Sequence, residues 1–300
     1  MDERTSRRYF RIAGVTIQVE ADLPITDRTF DKKFDSFLVE DPGEDTVVLR
    51  HHFSLPEVKG ADLGREVYRK PPWAIYRRDD SWVYLGISPA PDDPALHRVA
   101  VFNDDHSRGT IYNPDEEWFR SGGLHALTLF PSDQILLARL LPDRDACFLH
   151  AAGMVVNGQG LLFAGHSEAG KSTMVTMLRD EGEILCDDRV IVRRWPDRFR
   201  VHGSWSHGDV PQVSAADAPL RAILLLEKAG TNRLERLEDR KEIVRRLPFF
   251  LIKPVVTADW WQKVLGLVET MAREVPVYRL RFDRSGEVLD VLKPLWEGRP

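Results

Sequence analysis

HAAGMVVNGQGLLFAGHSEAGKST, residues 150–173, is the stretch from which the rest of the chain is read. Its end, GHSEAGKST (165–173), fits the phosphate-binding pattern G-x-x-x-x-G-K-[ST]. The chemistry needs these residue types in this order. Gly165, His166, Ser167, Glu168, Ala169 and Gly170 would turn their backbone N–H groups inward to cradle phosphate oxygens. Lys171 would reach the β- and γ-phosphates, Ser172 would present a hydroxyl to Mg²⁺, and Thr173 extends the hydroxyl pair. A helix starting at Lys171 adds the positive end of its dipole. Upstream, Asn157-Gly158 lies between two apolar runs, 147–156 and 161–165, which predicts a β-hairpin. The strand entering the loop would then pair antiparallel with the segment before it, unlike the parallel βαβ sheet of the common phosphate-loop domains.

Downstream, residues 171–182 read as a helix, with Met174, Met177 and Leu178 on one face and Gly182 as its C-cap. EILCDDRVIVRRW (183–195) returns as a strand interrupted by Asp187 and Asp188. WPDR turns the chain into strand 199–203, and 221–227 is another buried strand. Helical periodicity covers 239–252 and 259–275; strand 277–282 and helix 285–296 close the chain. Before residue 122 the pattern is of strands: 8–21, 47–53, 73–79, 81–87 and 98–103. Asp79-Asp80-Ser81 suggests a tight hairpin, across which Trp73, Tyr76, Trp82 and Tyr84 could stack. Ser132 or Asp133 is a candidate cap for a helix to about Leu141.

Asp187 and Asp188 follow Lys171 at a distance that suits phosphoryl transfer. One carboxylate at a strand end holds the Mg²⁺ that bridges β- and γ-phosphates, and a second accepts the proton of an attacking hydroxyl. The bland alternative is a polar turn between strands. Together, His150, the hairpin, the loop and EILCDDRVIV resemble the C-terminal domain of HPr serine kinase/phosphorylase and its kinase-like relatives, over about Leu149 to Arg193. The resemblance implies a fold shared with phosphoenolpyruvate carboxykinase: an α/β (α+β, mixed-sheet) phosphate-loop domain at 126–300. The strand pattern before it reads as a β-rich domain at 1–125, either a plain sheet core or a substrate-recognition surface. It implies that Lys171, Ser172 and Thr173 bind phosphates and metal. Asp187 would be the general base and Asp188 the metal-facing carboxylate, with the reverse assignment open. His150 would orient the catalytic carboxylate.

The resemblance further implies ATP and Mg²⁺ as cofactors and a hydroxyl acceptor, either a serine of a peptide or protein or a small-molecule alcohol. GTP stays open, because the lack of an Asn-Lys-x-Asp motif argues against a switch GTPase but not against guanine. Homo-oligomers are known among such relatives. Three departures separate this chain from HPr kinase itself. Glu168 stands where relatives usually have glycine and must point outward to spare the nucleotide. No Arg-Gly-Leu-Gly-type stretch follows the aspartates, and the N-terminal half has a different pattern. The competing reading is a nucleotide-dependent binding or regulatory module without transfer; a carboxykinase is disfavoured by the lack of a His/Lys metal cluster. GSWSHGD (203–209) could face the nucleotide or acceptor, or simply connect strands. Arg233 and Arg236 suit a solvated charged face better than a phosphate site.

Bulk composition bounds the classes. The 300 residues carry 47 acidic and 42 basic side chains, and the net charge of −5 argues against non-specific nucleic-acid binding. No long apolar run suggests a membrane span or signal segment, so no membrane partner and a cytoplasmic location are expected. Cys147 and Cys186, each in an apolar stretch, read as free buried thiols.

Overall fold

The computed structural model describes residues 5–57, 63–87, 96–128, 133–254 and 257–297. The chain forms two units, Met1–Leu140 and Leu141–Pro300. The first is β-rich. Its strands are β1 (Thr5–Ile12), β2 (Val15–Ile25), β3 (Leu38–Val39), β4 (Thr46–His52), β5 (Arg65–Lys70), β6 (Trp73–Arg78), β7 (Ser81–Ile87), β8 (Leu96–Asn103) and β9 (Arg108–Tyr112), followed by α1 (Glu117–Ser121) and α2 (Gln134–Leu140). They form one mixed sheet in the order β3-β1-β2-β4-β9-β8-β7-β6-β5. Only the β2–β4 and β4–β9 pairings are parallel.

Several local expectations are corrected here. Residues 8–21 do not form one strand, because Ala13 (φ 49°) and Gly14 (φ 79°) reverse the chain into a hairpin. Alternation of apolar residues runs through such a turn unbroken, so the pattern hides it. The Asp79-Asp80 hairpin is present, but its register sets Trp73 opposite Gly86, Tyr76 opposite Val83, Trp82 opposite Arg77 and Tyr84 opposite Ile75. No two of the four aromatic residues stand directly opposite each other, and Trp82 lies under the guanidinium groups of Arg77 and Arg139. Asp133 directly precedes α2. Its buried carboxylate accepts backward from the Leu127 and Thr128 amides at 3.0 and 2.8 Å. Ser132, the other candidate cap, lies outside the described residues.

The second unit is an α/β sandwich. Its elements are β10 (Ala146–Val156), β11 (Gln159–Ala164), α3 (Lys171–Met177), β12 (Glu183–Cys186), β13 (Arg189–Arg194), β14 (Phe199–His202), β15 (Asp217–Lys228), β16 (Arg233–Arg236), α4 (Arg240–Arg246), α5 (Ala258–Glu274), β17 (Val277–Phe282), α6 (Val288–Leu292) and α7 (Pro294–Glu297). Strand parity sorts the core into two faces. Leu149 and Ala151 of β10, Leu162 of β11 and Ile223 of β15 pack with Val264, Val268 and Met271 of α5. Met154, Phe163 and Leu224, one residue out of phase, pack with Met174, Val175 and Leu178 and with Val288 and Leu292 of α6. Full burial of each such side chain contributes about 1.5–3 kcal/mol.

β10 and β11 form the antiparallel hairpin that Asn157-Gly158 predicts, with φ values of 49° and 72° at the turn. The other edge of β11 pairs parallel with β15, and β15 pairs parallel with β17. Helix α3 stops at Met177, five residues before Gly182, which is not its C-cap. Gly182 is required for another reason: a Cβ there would lie 2.2 Å from the Val155 carbonyl on β10. Gly182→Ala is expected to cost about 1–3 kcal/mol through overpacking against rigid backbone, read as a lower midpoint in urea denaturation. Arg233 and Arg236 lie on a strand rather than a loop, exposed and paired with Glu235 and Glu238. Among the described residues no helix is long and apolar enough to cross a membrane.

Candidate functional site

The glycine loop leaves the end of β11 and enters α3, a helix of seven residues. Gly170 adopts φ 101°, in the left-handed region open mainly to glycine, and Phe282 leaves no room for a Cβ there. Glu168 also has a positive φ, 65°, and its side chain is exposed, as are His166 and Ser167. Ala169 and Gly170 are half-buried, and Ser172 and Thr173 are half-buried at the start of the helix. Lys171 is buried, 7% exposed, and its ammonium donates to the carbonyls of Gly165 at 3.2 Å and His166 at 3.1 Å. It thereby bridges the two sides of the loop. Burial lowers its pKa below the ordinary lysine value, opposed by the charges of Asp188 and Asp187.

The two aspartates sit where β12 ends and β13 begins. Both strands pair with β10: Gly153 lies opposite Cys186 and His150 opposite Arg189. The pairing breaks between them, and that break turns the carboxylates out of the ladder. Their surroundings differ sharply. Asp187 is 1% exposed, and both of its oxygens are taken by backbone amides, Gly208 at 2.6 Å and Val210 at 3.0 Å. It fastens the segment 203–210, in which Ser204, Trp205 and Ser206 are buried. The Gly/Ser loop is thus a tethered structural element, whatever else it contacts.

Asp188 is the more open member, with 19% of its side chain exposed. One oxygen accepts from Arg189 at 2.5 Å, and the other lies 3.7 Å from His150 Nε2. His150 therefore stands beside Asp188, the aspartate that the reverse assignment makes the catalytic carboxylate. Burial and the nearby Lys171 charge lower the His150 pKa, outweighing the pull of Asp188, so the ring is neutral at pH 7. Lys171, His150, Asp188 and Arg189 thus form one electrostatically coupled group drawn from α3, β10 and the β12–β13 turn.

Arg189 was not singled out from sequence. Its partner across the sheet is set by strand register, which no short motif encodes. Its Nε and the Ser206 hydroxyl are buried without a hydrogen-bond partner in the structure. Among the described residues no group of three or more His, Cys, Asp or Glu side chains is arranged to hold a metal ion. Both cysteines are free and buried, with thiol pKa values pushed up to about 12 by burial.

A family model described as SynChlorMet cassette protein ScmC matches residues 135–295, from α2 to α7. No curated protein matches the sequence. Among solved structures, the Hpr(Ser) kinase/phosphatase from Coxiella burnetii is 12% identical with a TM-score of 0.29, covering 50% of this chain and 88% of that one. That likeness is too low to support a shared fold or activity. The family match takes in the glycine loop, His150, both aspartates and more than half of the 300 residues, and so the chain belongs to the ScmC family.

Proposed function

We propose that the second unit is a Mg²⁺- and nucleotide-dependent phosphotransferase that moves the γ-phosphate of ATP, or of GTP, to a hydroxyl group of a peptide or small molecule. The observation that supports this reading is the grouping of Lys171 on the glycine loop with an open carboxylate, Asp188, and a neutral histidine, His150. Phosphoryl transfer asks a protein for positioning and charge stabilisation, and this group offers both. Loop amides and Lys171 hold the β- and γ-phosphates, and Arg189 Nε is a spare donor toward an anionic ligand. The acceptor oxygen attacks the γ-phosphorus, the bond to the β–γ bridging oxygen breaks, and the proton passes to Asp188. His150 positions that carboxylate.

Hard oxygen donors suit Mg²⁺, which keeps water and phosphate ligands and needs few protein groups. Ser172 and Asp188 would hold it, and when bound it neutralises charge on the triphosphate. Because Asp187 is buried and fastened to two backbone amides while Asp188 is open, we assign both roles expected of the pair to Asp188. The β-rich first unit would then recognise the acceptor.

The test is calorimetric titration of Mg–ATP into the full chain, followed by transfer of labelled γ-phosphate to candidate hydroxyl acceptors. Failure of the folded protein to bind either Mg–ATP or Mg–GTP would overturn the proposal. Binding without any turnover of the γ-phosphate would favour the regulatory-module reading. Glu168 gives an independent check. An exposed carboxylate on the loop repels a triphosphate by about 1 kcal/mol at short range in water. Glu168→Gly, which also suits the positive φ, is expected to tighten Mg–ATP binding about fivefold at low salt, with the gain fading at high ionic strength.

A further inference from the structure

A cleft of about 350 Å³ opens at the first residues of the glycine loop, Gly165 and His166. Its other wall comes from the end of β15, at Leu226 and Glu227, and from the segment after α4, at Phe249 and Phe250. Strand order fixes its place relative to the charged group. β11 pairs with β10 on one edge and with β15 on the other. His150 stands on β10 and Asp188 beside it, so these two lie toward the β10 side of the loop and the cleft toward the β15 side, with Lys171 at the loop between them. A triphosphate lying along the loop with its γ-phosphate toward Asp188 points its nucleoside toward β15.

The lining suits a flat aromatic ring. Phe249 is 71% exposed although Leu247 and Phe250 beside it are buried, so a large aromatic face is left in water at the rim. The His166 and Phe250 rings lie 6.0 Å apart, tilted by 48°. At the mouth, Arg246 and Glu227 stand 4.0 Å apart and offer donors and an acceptor to a polar ring edge. The volume is in the range of small-molecule sites, with apolar walls and few polar groups. Resting on the phosphate-site reading above, we infer that this cleft seats the purine base of the nucleotide, with Phe249 as its stacking face.

The experiment compares Mg–ATP, Mg–GTP and Mg–tripolyphosphate as titrants for wild type, Phe249→Ala and Lys171→Ala. In wild type the better purine nucleotide binds about tenfold more tightly than tripolyphosphate, as expected for one stacked base. Phe249→Ala removes that margin and leaves tripolyphosphate affinity unchanged, while Lys171→Ala weakens all three. Equal affinity of nucleotides and tripolyphosphate in wild type overturns the base cleft while leaving the phosphate site standing. The same holds if Phe249→Ala leaves nucleotide binding intact or weakens tripolyphosphate equally. If none of the three binds the folded wild type, the phosphate-site reading fails and the base cleft fails with it.

Discussion

Lys171→Ala is expected to weaken Mg–ATP binding about a hundredfold while leaving the protein folded. The ammonium is the one side-chain cation at the start of α3, and it is held against the loop carbonyls of Gly165 and His166. Hydrogen bonds from a charged donor are worth about 1.5–3 kcal/mol each, so losing such contacts to β- and γ-phosphate oxygens reaches two orders of magnitude. Stability should change little. Burying the ammonium carries a desolvation cost, visible in its lowered pKa. The His166 carbonyl lies beside exposed side chains, so water can replace the ammonium there, while the buried Gly165 carbonyl gives up one donor at a cost that the relieved desolvation of the ammonium offsets. Calorimetry gives the affinity and a thermal melt gives the fold. Unchanged affinity in the variant would remove the loop from the mechanism.

The second large effect separates the two aspartates. Asp188→Asn is expected to cut γ-phosphate transfer by about 10²–10⁴-fold, the usual contribution of a general base, with the thermal midpoint nearly unchanged. Asp187→Asn should do something different. Its amide would set a donor against the Gly208 or Val210 N–H, leaving a buried donor unsatisfied at a cost of about 1–3 kcal/mol. Loss of stability therefore belongs to Asp187 and loss of turnover to Asp188. The pair of measurements is a rate assay at saturating nucleotide and a urea denaturation curve for each variant. If Asp187→Asn abolishes turnover in a fully stable protein and Asp188→Asn does not, the roles are the reverse of those proposed.

Much of this was legible in the residues because the decisive signals are local. Asn157-Gly158 specifies its own turn, and the apolar runs around it specify strands that can only zip antiparallel. The break at Asp187-Asp188 is likewise visible as two charges inside an apolar strand. What stayed hidden depends on contacts distant in sequence. Asp187 and Asp188 look equivalent as letters; only the approach of Gly208 and Val210 distinguishes them. His150 faces Asp188 because β10 and β13 pair in one register, and a shift of one residue would have reversed the side chain. In the first unit, β5 (REVYRK) and β9 (RGTIY) carry too few apolar residues to stand out as strands. β5 is held by pairing with β6 rather than by burial of its own side chains, whereas β9 adds the fully buried Ile111 to its two pairings.

The bonds from Asp187 also turn two backbone protons into a gauge of the site. The amide hydrogens of Gly208 and Val210 exchange with deuterated solvent only when the carboxylate lets go of them. A ligand drawing on Asp188 acts one peptide away from this clasp, and a change in the strength of the clasp is the expected response. Exchange rates at these two positions are therefore expected to change when the proposed phosphate site fills, without turnover or knowledge of the acceptor.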